Sequence, residues 1–142
     1  AVRFRASGAS MLPLIQEGDF LLVKPVAPCQ IRVGDVVLFI TEEGRPLVHR
    51  VIKRQKRAQC YSFLLKADQA SEEDGLIAQE GVLGRLETVE RAGREISMRS
   101  LAYRMLGLGL AWRSRGLKLP QFGGRAKGVL LRAKPETFGE NE

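Results

Sequence analysis

A serine hydroxyl is a poor nucleophile until a positioned base removes its proton and a third group orients that base. This chain offers all three residue types. Ser10 closes the small-residue stretch Ser7-Gly8-Ala9-Ser10, a turn-forming run that leaves the next side chain uncrowded and predicts an exposed bend there. His49 is the single histidine, and the ordinary imidazole pKa of about 6.5 suits a base working near neutral pH. By itself, a lone histidine on a strand is an ordinary structural residue. Cys29 and Cys60 have neither CxxC spacing nor a His-rich neighbourhood, so no metal site and no cofactor is expected, and pairing of the two thiols is left open.

The elements that must carry these groups are short strands. Val2 to Phe4 leads into the Ser10 turn, and Phe20-Leu21-Leu22-Val23-Lys24 is stopped by Pro25. Val36-Val37-Leu38-Phe39-Ile40 is a continuous apolar run of the length expected for a central strand buried on both faces. Glu42-Glu43-Gly44-Arg45 reads as a hairpin connection into Leu47 to Ile52, which puts His49 on a strand. Tyr61 to Leu65, Val82 to Val89 and Glu95 to Met98 add further strands, whereas 68–75 is polar and loop-like. The expected fold is mainly β, a compact β-barrel or folded sheet. Leu101, Met105, Leu108 and Trp112 recur at helical spacing, so a short helix opens a basic tail. The predicted organisation is a β domain over 1–98 and a basic amphipathic extension over 99–142.

Composition sets limits on partners. Apolar residues make up 44% of the chain and charged residues 27%, which excludes a disordered or wholly membrane-embedded polypeptide. Of the net charge of +7, the stretch 99–142 carries +6, from nine Lys/Arg against three Glu. Such a tail can meet an anionic membrane surface or an acidic partner, or stay solvated; no nucleic acid is expected as a partner. No run approaches the roughly 18 apolar residues of a membrane span, so the expectation is a soluble or peripheral protein, with the compartment and oligomeric state unassigned.

The motifs also resemble a known family. Ser7-Gly-Ala-Ser-Met-Leu-Pro-Leu-Ile-Gln-Glu-Gly-Asp19 resembles the opening motif of signal peptidases, and Arg32 to Phe39, Val48-His-Arg-Val-Ile52 and Leu65-Lys-Ala-Asp68 follow in the family's order. The resemblance covers roughly residues 2 to 90. It implies Ser10 as the nucleophile, and His49 at the base position points to the branch of endoplasmic-reticulum and archaeal enzymes, which use His where common bacterial ones use Lys. It further implies an orienting aspartate in the acidic loop, Asp74 as the best match and Asp68 as the alternative. Met11 would line the substrate cleft, and Gly8 stands where some members carry a second oxyanion donor beside the Ser10 N–H. Lys66 is an alternative base, but its place in the Lys-Ala-Asp segment points to a structural or charge-pairing role. Ala67 replaces the family's usual Gly, which would carry strain if the position needs positive φ. The implied activity is a serine endopeptidase that cleaves peptide or protein substrates after small residues through an acyl-enzyme. A non-catalytic module of the same fold, docking a membrane surface or acidic partner, is the alternative. A third reading takes Ala92-Gly93 as a self-cleavage bond of the kind cut in related repressors, although the Ser/Lys pair of those proteins is not matched.

Overall fold

The β-branched run from Val36 to Ile40 forms a strand with four of its five residues buried, and a sheet assembles around it. The computed structural model describes residues 1–99 together with Gly109. The strands are β1 (Val2–Arg5), β2 (Phe20–Lys24), β3 (Val36–Ile40), β4 (Pro46–Arg57), β5 (Cys60–Lys66), β6 (Gly75–Ala78), β7 (Val82–Arg91) and β8 (Arg94–Ser97), with 3-10 turns at Pro28–Gln30 and Gln79–Gly81. Every ladder is antiparallel, in the order β1-β2-β7-β3-β4-β5-β6, with β8 beside β7. The fold is therefore the mainly β, folded-sheet form of the expectation. It is not a barrel, because the four-residue end strands β1 and β6 pair only inward and leave the sheet open.

Alternation along the strands builds a core on each face. One holds Leu21, Val23, Val36, Leu38, Val48, Leu86 and Val89, covered by Ala6, Met11, Ile15 and Ala67 from the loops. The other holds Val37, Phe39, Val51, Phe63 and Leu65 with Ile31. At β7 the chain passes so close to β2 that a Cβ on Gly84 would stand 2.7 Å from the Lys24 carbonyl oxygen, so only glycine fits.

Three local outcomes differ from the sequence reading. β4 continues past Ile52 to Arg57, because β5 pairs with it as far as Arg57 opposite Cys60 and ladder hydrogen bonds do not depend on apolar side chains. The short edge strand β6 follows the polar loop, where no strand was expected. Ala92 and Gly93 form the two-residue turn between β7 and β8, both at positive φ, a closed geometry unlike the extended backbone of a protease substrate. The helix expected around Leu101 to Trp112, and with it the 99–142 extension, lies outside the described residues apart from Arg99 and Gly109.

The stretch after Ser10 is tied to the sheet by Asp19. Its buried carboxylate accepts the Gln16 N–H at 2.8 Å and both Arg91 Nε and Nη2, at 2.9 and 2.6 Å, and Arg91 also reaches the Leu14 carbonyl. Burial pushes this carboxyl upward, but the Arg91 hydrogen bonds, the Gln16 amide and the Arg91 charge outweigh it and hold the pKa below the usual value. A depressed native pKa contributes stability above the ordinary carboxylate range, near pH 4, and loses it as pH falls through the native value. At pH 7, Asp19→Asn should cost roughly 2 kcal/mol in urea denaturation. The gap from wild type should narrow as pH is lowered toward about 3, and a gap independent of pH would contradict this account.

Candidate active site

His49 lies opposite Val37 in the β3–β4 ladder, so its ring shares a face with Val37 and Val51, and its centroid is 5.6 Å from that of Phe39. Only 3% of the residue is exposed. Nδ1 lies 2.6 Å from Asp74 Oδ2. Asp74 is held there because its N–H donates to the Leu65 carbonyl at the end of β5, just before Gly75 turns into β6 at φ +98°. An ionised carboxylate can only accept, so in the neutral ring the proton sits on Nδ1 and the lone pair on Nε2. Nε2 is buried and has no hydrogen-bond partner among the described residues.

Arg50, the next residue, projects from the other face. Its guanidinium makes a bidentate pair with Asp68, both bonds 2.7 Å, and donates to the Gly34 carbonyl; the Arg50 and Asp68 side chains are each 3% exposed. The two aspartates thus divide their work: Asp68 holds Arg50, and Asp74 holds His49. Lys66, buried at the end of β5, pairs in register with Arg50 and so lies on the Arg50 face of the sheet.

The same segment grips the Ser10 loop. The Gln69 N–H donates to the Ser10 carbonyl at 2.9 Å, Gln69 Nε2 donates to the Leu12 carbonyl at 2.7 Å, and the Asp68 N–H points at Met11 Sδ at 3.4 Å. Ser10 sits in a turn as expected, yet it is 3% exposed and not on an open bend. Met11, expected along a substrate cleft, is wholly buried in the first core. Gly8 takes φ +102°, a backbone state that suits glycine. Ala67 is not at positive φ and packs into the first core, so replacing Gly there introduces no left-handed strain.

The structure brings His49 to Asp74 and joins Ser10 to the same loop through the backbone. It does not form a hydrogen bond between Ser10 and His49 Nε2. Gln69 was missed by sequence reasoning, since an amide beside Asp68 carries no chemical signature of a loop clasp. Among the described residues no group of three or more His, Cys, Asp or Glu could hold a metal, and Cys29 and Cys60 are free and exposed. Among the same residues no helix is long and apolar enough to cross a membrane.

A family model described as Peptidase S24-like matches residues 1–83 of the 142. The curated signal peptidase complex catalytic subunit SEC11C is 39% identical over 75 residues in its Homo sapiens, Canis lupus familiaris and Pongo abelii forms. Each match covers 51% of this chain and 38% of the relative, so the chain spans well under half the length of those proteins. No solved structure gives a significant match.

Because His49 is the single histidine, imidazole nitrogen NMR reads this site without overlap. In the neutral ring the protonated nitrogen should be Nδ1, and Asp74→Ala should shift the population toward the Nε2–H form. An Nε2–H ring in the wild type would overturn the tautomer assigned from the 2.6 Å contact.

Proposed function

The chain belongs to the Peptidase S24-like family, a family of peptidases, and from that premise we propose that it is a serine endopeptidase of signal-peptidase type, with Ser10 as nucleophile, His49 as base and Asp74 as the group that orients His49. The observation that carries the reading is the buried imidazole: Nδ1 is fixed on a carboxylate while Nε2 is desolvated and unsatisfied. A buried nitrogen without a partner is costly, and such groups are retained where a function uses them. The catalytic module corresponds to residues 1–98, with 99–142 as a basic extension.

In the proposed reaction, Ser10 Oγ attacks the scissile carbonyl carbon as His49 Nε2 takes its proton. The resulting imidazolium is stabilised by Asp74, and the Ser10 N–H donates to the developing oxyanion. Collapse of the tetrahedral species breaks the C–N bond, and Nε2 returns the proton to the leaving amine. Water then attacks the acyl-enzyme with His49 again acting as base. The Ser10–Nε2 hydrogen bond forms as substrate seats, since catalytic hydrogen bonds in unliganded enzymes are often long and tighten in the complex. β1 is an open edge strand that runs toward Gly8 and Ser10, and an extended peptide docking on such an edge would present its carbonyls to the nucleophile. The preference for small residues before the cleaved bond follows from the resemblance to signal peptidases.

Against a panel of small-residue peptides, Ser10→Ala and His49→Ala should each lower kcat/KM by roughly 10⁴-fold, and Asp74→Asn by a comparable factor through the wrong tautomer. Asp68→Asn should act mainly on stability by releasing Arg50. Cleavage that survives Ser10→Ala would remove Ser10 as nucleophile.

A further inference from the structure

The stretch from Gly44 to Ala67 contains seven Lys/Arg and no Asp or Glu. Three of these cations are accounted for within the core fold: Arg45 pairs with Glu43, Arg50 with Asp68, and Lys66 is buried beside Arg50 in register. The other four, Lys53, Arg54, Lys56 and Arg57, are exposed at the distal end of β4, and none makes an ion pair among the described residues. There β4 has outgrown its other neighbour, since β3 pairs with it only as far as Arg50 and β6 reaches only Ser62 of β5. Beyond Ser62 the β4–β5 hairpin therefore continues as a two-stranded ribbon that carries Lys56 and Arg57, closed by the two-residue turn Ala58–Gln59 with both residues at positive φ, while Lys53 and Arg54 lie just behind it, where β6 still pairs with β5. Alternation sends Lys53 and Arg57 to one face and Arg54 and Lys56 to the other.

We propose that the distal end of this hairpin docks on the surface of an anionic lipid bilayer, with Lys56 and Arg57 at the tip and Lys53 behind them reaching the headgroup phosphates. Four like charges held together without carboxylates are mutually repulsive, and a negative surface relieves that repulsion while each long side chain keeps its head in water. With cations on both faces, end-on contact with a plane engages more of them than a single-faced approach would. Tyr61 stands between them, with the Arg54 guanidinium 5.0 Å and the Lys56 ammonium 5.5 Å from its ring centroid. That ring is thus covered by cations rather than left open for a nucleobase to stack on, which favours lipid over single-stranded nucleic acid. The docking is weak and salt-sensitive, and the net +6 of residues 99–142 acts in the same direction.

The test is flotation of the full chain with phosphatidylcholine vesicles, with and without phosphatidylglycerol. Binding should require phosphatidylglycerol and fall with salt. The triple variant Lys53→Gln, Lys56→Gln, Arg57→Gln should lower the partition coefficient on the order of 100-fold, about fivefold per charge removed. Arg54 is left in place because it also donates to the Ile31 and Cys29 carbonyls. Lys53→Arg with Lys56→Arg should bind as wild type, and urea midpoints show that each variant is folded independently of any peptidase assay. Wild-type binding by the folded triple variant, no binding of the wild type to anionic vesicles, or binding to a single-stranded oligonucleotide in place of vesicles would each overturn the proposal. Failure of peptide hydrolysis would leave it standing, because the vesicle assay does not use Ser10 or His49.

Discussion

A neutral imidazole lends a lone pair from one nitrogen at a time, and in this protein the 2.6 Å contact between His49 Nδ1 and Asp74 decides which one. The rest of the site is organised around keeping that contact. Asp74 follows a loop rooted at both ends in β5, through Lys66 and through its own N–H on the Leu65 carbonyl. His49 lies on a strand paired on both sides, by β3 and β5, so it cannot drift without breaking a ladder.

The same short loop carries two other duties. Asp68 neutralises Arg50, a buried charge whose isolation would be strongly destabilising. Gln69 ties the Ser10 and Leu12 carbonyls by two hydrogen bonds. Candidate base, structural arginine and candidate nucleophile are thus held by neighbouring residues of one segment, and a shift of that segment would move all three together. The Asp19–Arg91 pair performs the matching task on the far side of the Ser10 loop. Ser10, between these two ties, is buried where a small-residue turn alone would leave it open.

The strands were legible where apolar alternation was strong: the Val36 to Ile40 run lies in the middle of the sheet, and Glu42 to Arg45 makes the hairpin it suggests. Legibility failed where pairing overrides composition. Lys53 to Arg57 carries no apolar pattern, and only its register with β5 makes it a strand. β6 is four residues long and lies at an edge, too short for any periodicity to register. At the site, the motif order singled out Ser10, His49 and the two aspartates, but their division between His49 and Arg50 depends on a loop path that no spacing encodes. The Ala67 substitution looked like a source of strain, and the backbone removes that concern because its φ is not positive. Openness of the sheet likewise depends on edge-strand length and twist, which the strand pattern leaves undetermined.

The most direct test of the central claim is intact-mass and peptide-map analysis after incubation with a peptidyl phosphonate bearing a small residue at the reacting end, for wild type and His49→Ala. The account requires one covalent adduct, on Ser10, formed at a rate that collapses when His49 is replaced. An adduct on another residue, or labelling of Ser10 at the same rate without His49, would contradict it.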